Sequence, residues 1–259
     1  MTGPGADPRL RWARVIALEI GDLLLSRFRT GVGAERKDKG IVTELDWAAE
    51  ARILEALEQA FPGDGAASEE GSRLEPAEGG MRWIVDPLDG TTNYVVGLPT
   101  FAVALCCLDA DGPLLAVVHA PALGETFTAV RGAGAHGRDR LAVSGTSEIG
   151  DAVFLVNKAY HPADELWDLA GSLMGRVRAF RTFGCVSLDL ALVAAGRADG
   201  VVMLSTDPWD TAAGILLIEE AGGRVTDLEG DPAHTGARGI VAANPALADQ
   251  ALSLVSTGR

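Results

Sequence analysis

The stretch Trp83–Tyr94, with the sequence WIVDPLDGTTNY, determines how the rest of the chain is interpreted. Its first three residues are apolar and predict a buried β-strand. We expect this strand to end at Asp86, because Pro87 has no N–H to contribute to the ladder of backbone hydrogen bonds. Asp89 follows three positions after Asp86. The strand therefore delivers two carboxylates to one end of a core.

The residues after Asp89 complete a pattern that suits phosphate chemistry. Gly90 permits a tight turn, and the backbone N–H groups and hydroxyls of Thr91 and Thr92 follow at once. N–H groups at the start of a helical turn bind phosphate, and carboxylate oxygens are the ligands that Mg²⁺ prefers. The pentapeptide Asp-Pro-x-Asp-Gly alone is more typical of a surface turn. The phosphate interpretation therefore depends on the apolar strand before it and on acidic residues elsewhere in the chain.

The composition describes a folded, acidic protein of 259 residues. Apolar residues make up 47% of the chain, which is enough for a substantial core. The formal net charge of −14 argues against an electrostatic grip on nucleic acid or on an anionic membrane. We expect a cytoplasmic location, because the first residues lack the apolar segment of a signal peptide and no apolar run approaches the ~18 residues of a membrane span. The three cysteines show no metal-binding spacing.

Apolar periodicity predicts helices that alternate with strands. The predicted helices cover residues 8–28, 46–61, 162–174, 187–195, 210–221 and 246–255. The predicted strands after Tyr94 include residues 101–108, 114–119, 125–130, 152–156 and 200–204. Asp46 and Asp210 are expected as N-caps, and residues 63–80 as one long loop. This order predicts a layered α/β or α+β sandwich over residues 1–259, in which two halves, about 8–143 and 144–259, pack closely into one catalytic unit.

Residues Gly132–Gly137 match the Gly-x-Gly-x-x-Gly pattern of dinucleotide-binding folds. Residues 138–144 after it are basic and strand-like, whereas phosphate binding by this pattern requires a helix. We therefore interpret the glycines as a tight turn between strands, and we do not expect a dinucleotide.

Four acidic residues are candidate metal ligands: Glu69, Asp86, Asp89 and Asp210. Each has an ordinary alternative, since Glu69 suits a solvated loop and Asp210 suits a plain N-cap. Spacing along the chain does not show that the four meet in space.

Four motifs together resemble the inositol monophosphatase family. They occur in the order expected for that family and span nearly the whole chain: Val42–Asp46 (VTELD), Ser68–Glu70 (SEE), Asp86–Tyr94 (DPLDGTTNY) and Trp209–Gly223 (WDTAAGILLIEEAGG). The resemblance implies an α/β/α/β/α sandwich that forms a homodimer. It also implies hydrolysis of a small phosphomonoester with two or three Mg²⁺ ions, and inhibition by lithium.

The resemblance assigns metal ligands residue by residue. One ion would take Glu69, Asp86 and the carbonyl oxygen of Leu88, and a second would take Asp86, Asp89 and Asp210. Two cations ~3.5–4 Å apart can stabilise the attacking and the leaving oxygen of an in-line displacement.

The resemblance also assigns the catalytic and phosphate-binding groups. Thr91 and Glu69 would orient and deprotonate a metal-bound water, with Asp46 behind Thr91. The backbone amides of Gly90 and Thr91 would hold the phosphate. Asp89 and Asp210 would also contact the substrate.

The chain departs from the family pattern around the leaving-group pocket. Met203 stands where the family usually has an acid that binds inositol, and Gly40 stands where an aspartate is often found. The segment that lines the substrate site reads Gly184, Cys185 and Val186 instead of Gly-Ser-Ala. These differences do not affect the implied metal ligands. They leave undetermined which alcohol forms the leaving group of the substrate. Arg181 and Lys158 are candidate cations for a more anionic substrate.

The sequence is therefore compatible with several substrates and with one non-catalytic role. Inositol 1-phosphate or a related sugar phosphate is the expected substrate. Related branches with the same metal motifs cleave histidinol phosphate, fructose 1,6-bisphosphate or the 3′-phosphate of nucleotide bisphosphates. A non-catalytic regulatory homologue is the alternative of another class, although all of the implied metal ligands are present.

Overall fold

The apolar runs of the sequence become strands, and the segments with apolar residues every three to four positions become helices. The computed structural model describes residues 7–37, 40–157 and 163–256. Its helices are α1 Pro8–Arg27, α2 Glu44–Ala60, α3 Thr91–Val96, α4 Ala163–Leu173, α5 Val186–Ala194, α6 Pro208–Glu220 and α7 Ala248–Ser256. Crossing a membrane would require a longer and more apolar helix than any within those ranges.

The strands are short at the two ends of the chain and long in the middle of its first half. Their bounds are β1 Ala34–Arg36, β2 Ile41–Thr43, β3 Gly65–Ser68, β4 Arg73–Leu74, β5 Arg82–Asp89, β6 Ala102–Asp109, β7 Gly112–Ala120, β8 Glu125–Val130, β9 Gly134–His136, β10 Val153–Asn157, β11 Ala179–Arg181, β12 Gly200–Met203, β13 Arg224–Thr226 and β14 Ile240–Ala243.

Two large sheets organise these strands. The first has seven strands in the order β4-β3-β5-β6-β7-β8-β9, and the second has five in the order β11-β10-β12-β14-β13. In the second sheet β10 pairs in parallel with both β11 and β12. The strands β1 and β2 form a separate hairpin.

Three apolar clusters show that helices cover both faces of both sheets. The first joins α1 and α2 to the seven-stranded sheet. The second contains α5 and α6, which lie between the two sheets and contact both. The third packs α4 and α7 against the outer face of the five-stranded sheet. The expected α/β/α/β/α sandwich is thereby confirmed, and α5 and α6 form its middle layer.

Both predicted N-caps are wrong by three positions. The N-cap of α2 is Thr43 and that of α6 is Asp207, while Asp46 and Asp210 occupy the third position of each helix. There each carboxylate accepts a hydrogen bond from the backbone N–H of its N-cap residue, at 2.8 Å for Asp46 and 3.1 Å for Asp210. This arrangement is a capping box, which satisfies N–H groups at the helix start from both sides. Asp46 and Asp210 are therefore held inside the first turns.

The predicted end of the first central strand is also wrong. β5 continues through Pro87 to Asp89, with an irregular register against β6 between Asp86 and Asp89. The irregularity accommodates the proline without a ladder hydrogen bond. The segment 63–80 is not one loop either, since it contains β3 and β4. Strand β3 consists of small residues, and parallel pairing with β5 is what fixes it.

A tight turn joins the first two strands predicted after Tyr94, and the turn predicted at Gly132–Gly137 is confirmed. Asp109 pairs with Gly112 at the tip of the β6–β7 hairpin. The segment Gly132–Gly137 forms a turn and the short strand β9, which pairs antiparallel with β8. The described residues 138–148 after these glycines contain no helix, so the helix that the dinucleotide-binding pattern requires does not follow them.

Candidate active site

A cavity of about 290 Å³ lies where β5 and β10 end and where α3, α5 and α6 begin. Most of the residues proposed from the sequence line it: Glu69, Asp86, Leu88, Asp89, Gly90, Thr91, Gly184, Val186 and Asp210. Ligands of α/β folds bind outside the carboxyl ends of parallel strands, and β10 ends at this cavity. The fold therefore brings four acidic residues from distant parts of the chain to one small-molecule-sized opening.

Asp86 is the most buried acid of the cavity, with 1% of its surface exposed. Its Oδ1 accepts a hydrogen bond from the backbone N–H of Leu88 at 3.1 Å. Its Oδ2 is buried and has no partner among the described residues. Burial, and then the charges of Glu69 and Asp89, raise the pKa of Asp86 well above its ordinary value. A buried carboxylate oxygen without a hydrogen-bond partner destabilises the folded state. A bound cation would supply the partner that this oxygen lacks.

Asp89 is buried and joined to the start of α5. Its Oδ2 accepts hydrogen bonds from the backbone N–H and the Oγ of Ser187, both at 2.6 Å, and from the Sγ of Cys185 at 3.2 Å. Burial raises the pKa of Asp89, and the hydrogen bonds from Ser187 oppose that effect. The short hydrogen bonds fix the carboxylate and favour its charged form.

The other two acids complete the cluster from different elements. Asp210, half-buried in the first turn of α6, has a pKa raised well above its ordinary value by burial and by the charge of Asp89. Glu69 follows β3, and burial raises its pKa to about 7 although Lys37 opposes this. Lys37 Nζ donates hydrogen bonds to Glu69 Oε1 at 2.9 Å and to Glu70 Oε1 at 2.7 Å.

Burial, reinforced by the charges of neighbouring acids, raises the pKa values of Asp86, Asp210 and Glu69. In the described part of the chain, no three acidic, histidine or cysteine side chains are already gathered closely enough to hold a metal ion. The donor set is nevertheless entirely oxygen, which suits a hard cation such as Mg²⁺. Together with the orphaned Oδ2 of Asp86, the oxygen donors make the residues present fit Mg²⁺, which would replace like-charge repulsion by attraction.

Thr91 links the cavity to a buried acid behind it. Its Oγ1 lies 3.1 Å from Asp46 Oδ1 and 3.0 Å from the carbonyl oxygen of Leu88, so its proton has an acceptor on the protein side. Asp46 is fully buried, and its Oδ2 accepts from Thr43 Oγ1 at 2.6 Å. The capping box of α2 therefore orients Asp46, and Asp46 orients the hydroxyl of Thr91.

Gly90 is required by its conformation and by its surroundings. It adopts φ 87° and ψ 34° as the N-cap of α3, a left-handed conformation that glycine tolerates. A Cβ at this position would lie 2.8 Å from the carbonyl oxygen of Thr100. The close approach brings the first turn of α3 to the edge of the cavity.

Four of the residues proposed from the sequence do not line the cavity. Asp46 lies behind Thr91, and Cys185 is buried against Asp89. Met203 is fully buried in the cluster between the sheets. Arg181 is exposed and its guanidinium donates to the carbonyl oxygen of Phe180, away from the cavity lining. Lys158 lies outside the described residues.

Sequence reasoning missed four residues that shape the site: Lys37, Asn93, Asn157 and Ser187. Asn93 Nδ2 donates to the carbonyl oxygens of Thr100 at 2.8 Å and Phe183 at 2.6 Å, and so ties α3 to the segment before α5. Asn93 lies within the motif Asp86–Tyr94, although its role in tying the two segments together could not be read from that motif. No local pattern marks Lys37, Asn157 and Ser187, because each contacts a partner far away in the chain.

The geometry of the site agrees with comparisons to known proteins. A model of the inositol monophosphatase family matches residues 6–258. The chain belongs to the inositol monophosphatase family. Membership of this family supports a metal-dependent phosphatase that acts on a small molecule.

Three similar proteins illustrate the range of the family. The chain is 37% identical over 245 residues to "Nus factor SuhB" of Escherichia coli strain K12, with 92% of each chain covered. It is 34% identical over 251 residues to "Fructose-1,6-bisphosphatase/inositol-1-monophosphatase" of Thermotoga maritima, with 96% of each covered. The crystal structure of extragenic suppressor protein suhB from Bartonella henselae has a TM-score of 0.93 and 32% identity, and the alignment covers 98% of this chain and 100% of that one. One of these three names is that of a phosphatase and two are not, so family membership alone does not identify the substrate.

Proposed function

We propose that the protein hydrolyses a small phosphomonoester with Mg²⁺ held by Glu69, Asp86, Asp89, Asp210 and the carbonyl oxygen of Leu88. The observation that carries this proposal is the buried Oδ2 of Asp86, which has no partner among the described residues and lies amid further acids. When bound there, Mg²⁺ would offset the carboxylate charges, attract phosphate oxygens and favour the ionisation of water.

The protein's own residues would orient the attacking water. Thr91 Oγ1 gives its proton to Asp46 or to the carbonyl oxygen of Leu88. Its lone pairs are then available to accept a hydrogen bond from water in the cavity. Glu69, on the same cavity wall, is the group we assign to accept the proton that the water loses. Thr91 would therefore orient the water by accepting a hydrogen bond from it, and Glu69 would take the proton that the water loses.

The first turn of α3 would hold the phosphate. N–H groups at a helix start have no intrahelical acceptor, and Gly90 allows the backbone to come close to the cavity. We assign the amides of Gly90 and Thr91 to two phosphate oxygens. Val186 and Gly184, which line the cavity from the segment that leads into α5, would face the alcohol part of the substrate.

The substrate we favour is inositol 1-phosphate or a related sugar phosphate. Histidinol phosphate, fructose 1,6-bisphosphate and 3′(2′),5′-bisphosphate nucleotides are the alternatives, and the name of the Thermotoga relative supports the second of these. We also propose a cytoplasmic, lithium-sensitive homodimer that uses two or three Mg²⁺ ions. With a net charge of −14, we expect no binding to nucleic acid or to membranes.

The test is phosphate release from these four substrates with Mg²⁺ and with a chelator. We expect release that depends on Mg²⁺ and disappears in Asp89→Asn. The matched control is Asp111→Asn, the same substitution on an exposed turn outside the cavity, which we expect to retain activity. Release that survives in the chelator or in Asp89→Asn would contradict the metal-dependent mechanism.

A regulatory role is the second candidate, because a curated relative at 37% identity carries the name of a Nus factor. A purely regulatory protein would release no phosphate from any of the four substrates at high enzyme concentration. A chain that both hydrolyses one of them and binds a macromolecule would combine the two roles.

A further inference from the structure

Part of the cavity wall lies on the second half of the chain, away from the acids of β5. Asn157, Thr182, Gly184 and Val186 contribute to this wall. Asn157 is the last residue of β10, at the carboxyl end of a strand that pairs in parallel with β12. This is the edge at which α/β folds bind their ligands. Asn157 is thus placed where the alcohol part of a phosphate ester would lie.

The pairing of β10 with β12 relates Asn157 directly to Met203. The two residues are partners in the register, so their side chains leave the sheet on the same face. Met203 is fully buried in the apolar cluster between the sheets, whereas Asn157 lines the cavity. A thioether offers only a weak acceptor. The neighbouring strand therefore supplies, through Asn157, the polar group that Met203 does not.

A buried acid stands behind Asn157. Asp189, in α5, is fully buried, and its Oδ2 accepts a long hydrogen bond of 3.5 Å from Asn157 Nδ2. Its Oδ1 has no partner among the described residues. Burial and the charge of Asp89 raise the pKa of Asp189 well above its ordinary value. Asp189 is not one of the proposed metal ligands and does not line the cavity, so neither role explains why this carboxyl group is buried. Its contact is with the amide of Asn157.

The amide of Asn157 has the chemistry to recognise a hydroxyl group. A hydroxyl donates one hydrogen bond and accepts others, and a carboxamide carries both donors and an acceptor. The orientation of the amide decides which of these reaches the ligand. Asp189 can fix that orientation, because a carboxyl oxygen favours the NH₂ end of the amide.

We infer that Asn157 hydrogen-bonds a hydroxyl group on the alcohol part of the substrate, and that Asp189 is a positioning residue for its amide. The preferred ligand is then the phosphate ester of a polyhydroxylated alcohol rather than of a plain aryl or alkyl alcohol. This inference rests on the proposed phosphatase function and adds a selectivity to it.

The experiment compares two esters in each enzyme preparation: inositol 1-phosphate, which has hydroxyl groups beside the ester, and phenyl phosphate, which has none. In Asn157→Ala and the similarly shaped Asn157→Leu, we expect kcat/KM for inositol 1-phosphate to fall about 3- to 10-fold, mainly through KM. We expect kcat/KM for phenyl phosphate to stay unchanged. The ratio of the two values does not depend on the folded fraction, so a poorly folding variant still gives an answer.

The positioning role is tested with the same ratio. Asp189→Leu should lower the preference for inositol 1-phosphate as the Asn157 variants do, and Asp189→Asn, which keeps an oxygen facing Asn157, should restore it. An equal loss for both esters in the Asn157 variants, or an unchanged ratio in Asp189→Leu, would overturn the inference while leaving the proposed function intact. A wild-type enzyme that releases phosphate from neither ester would overturn both.

Discussion

Ser187 donates two hydrogen bonds of 2.6 Å to the same oxygen of Asp89, one from its backbone N–H and one from its hydroxyl. The two residues lie 98 positions apart, on the first turn of α5 and at the end of β5. Donors aimed at one Oδ atom fix the carboxylate plane and leave the other Oδ atom directed elsewhere. The middle helical layer therefore sets the orientation of an acid that the first sheet delivers.

Replacement of Ser187 by alanine tests this relationship. The backbone hydrogen bond stays and the hydroxyl hydrogen bond is lost, and a hydrogen bond to a charged group contributes about 1.5–3 kcal/mol. We expect Ser187→Ala to fold, to need more Mg²⁺ for half-maximal phosphate release, and to lose about 10-fold or more in kcat/KM. Ser172→Ala, whose hydroxyl donates to the carbonyl oxygen of Leu169 in α4, is the matched control and should match the wild type. An unchanged Mg²⁺ requirement would show that the backbone N–H alone positions Asp89.

Lys37 and a metal ion would compete for Glu69. Lys37 Nζ donates to Glu69 Oε1, and its positive charge also opposes an incoming cation. We expect Lys37→Gln to lower the Mg²⁺ concentration that gives the half-maximal thermal shift by several-fold, because the competing partner is removed. Without Mg²⁺ the same variant should unfold at a lower temperature, since Glu69 and Glu70 lose their counter-charge.

The control for Lys37 is a neighbour that changes the net charge equally. Arg36→Gln removes one positive charge from an exposed residue of β1. If both variants shift the Mg²⁺ midpoint by the same amount, the effect is one of net charge and not of the contact with Glu69. A higher Mg²⁺ requirement in Lys37→Gln alone would mean that Lys37 positions Glu69 for the metal.

The acidic cluster predicts that the metal-free protein loses stability as the pH rises. Glu69 has an ordinary pKa of 4.5 and a pKa of about 7 in the folded chain, and the pKa of Asp86 is also raised, first by burial. Between these limits the folded state binds more protons than the unfolded state, so the free energy of unfolding falls as pH increases. Above about pH 7 Glu69 is ionised in both the folded and the unfolded state, so its destabilising effect no longer increases with pH.

Urea unfolding in a chelator at pH 5 and pH 8 measures this effect. We expect a lower free energy of unfolding at pH 8, by on the order of 1 kcal/mol or more. Asp86→Asn should reduce the difference and stabilise the metal-free protein at pH 8, while it abolishes the thermal shift caused by Mg²⁺. Equal stability of the wild type at the two pH values would show that the acids do not repel one another in the folded state.

The long elements of the fold could be predicted from the sequence because their apolar residues follow one period. Strands β6 to β8 and helices α1 and α6 agree with the predictions to within a few residues. Strand β3 could not be predicted, since Gly65–Ser68 contains only small residues and becomes a strand by parallel pairing with β5. The shifted N-caps had a local signal, because Thr43 and Asp207 each precede an aspartate by three positions.

The site was less predictable than the fold. The motif residues identified most of the cavity lining, because they lie on segments with recognisable patterns. Ser187 and Lys37 act on partners 98 and 32 positions away. Asn157 gains its place through the register with Met203. Such contacts arise from the packing of layers and have no signature in the local sequence.

Asp64 supports the fold at a distance from the cavity. Its carboxylate accepts hydrogen bonds from Arg9 Nε and Nη2, both at 2.9 Å, from the backbone N–H of Met81 at 3.1 Å and from the buried Trp83 Nε1 at 3.0 Å. Burial alone would raise the pKa of Asp64, but the hydrogen bonds from Arg9 and Trp83 outweigh it and lower the pKa. The charged carboxylate thus stabilises the folded state, and this contribution is lost as the pH falls below the ordinary value of 3.8.

Asp64→Ala leaves the indole N–H of Trp83 buried without a partner, and a buried unsatisfied donor costs about 1–3 kcal/mol. The two hydrogen bonds from Arg9 are lost as well, so we expect the free energy of unfolding, measured with urea, to fall by about 3 kcal/mol or more. Asp151→Ala removes the acid of an exposed ion pair with Arg178 and should cost less than about 1 kcal/mol. Because Asp64 does not line the cavity, the folded fraction of Asp64→Ala at 25 °C should keep the wild-type Mg²⁺ requirement. A changed Mg²⁺ requirement in that variant would show that the base of β5 and the proposed metal ligands at its end are coupled through the strand.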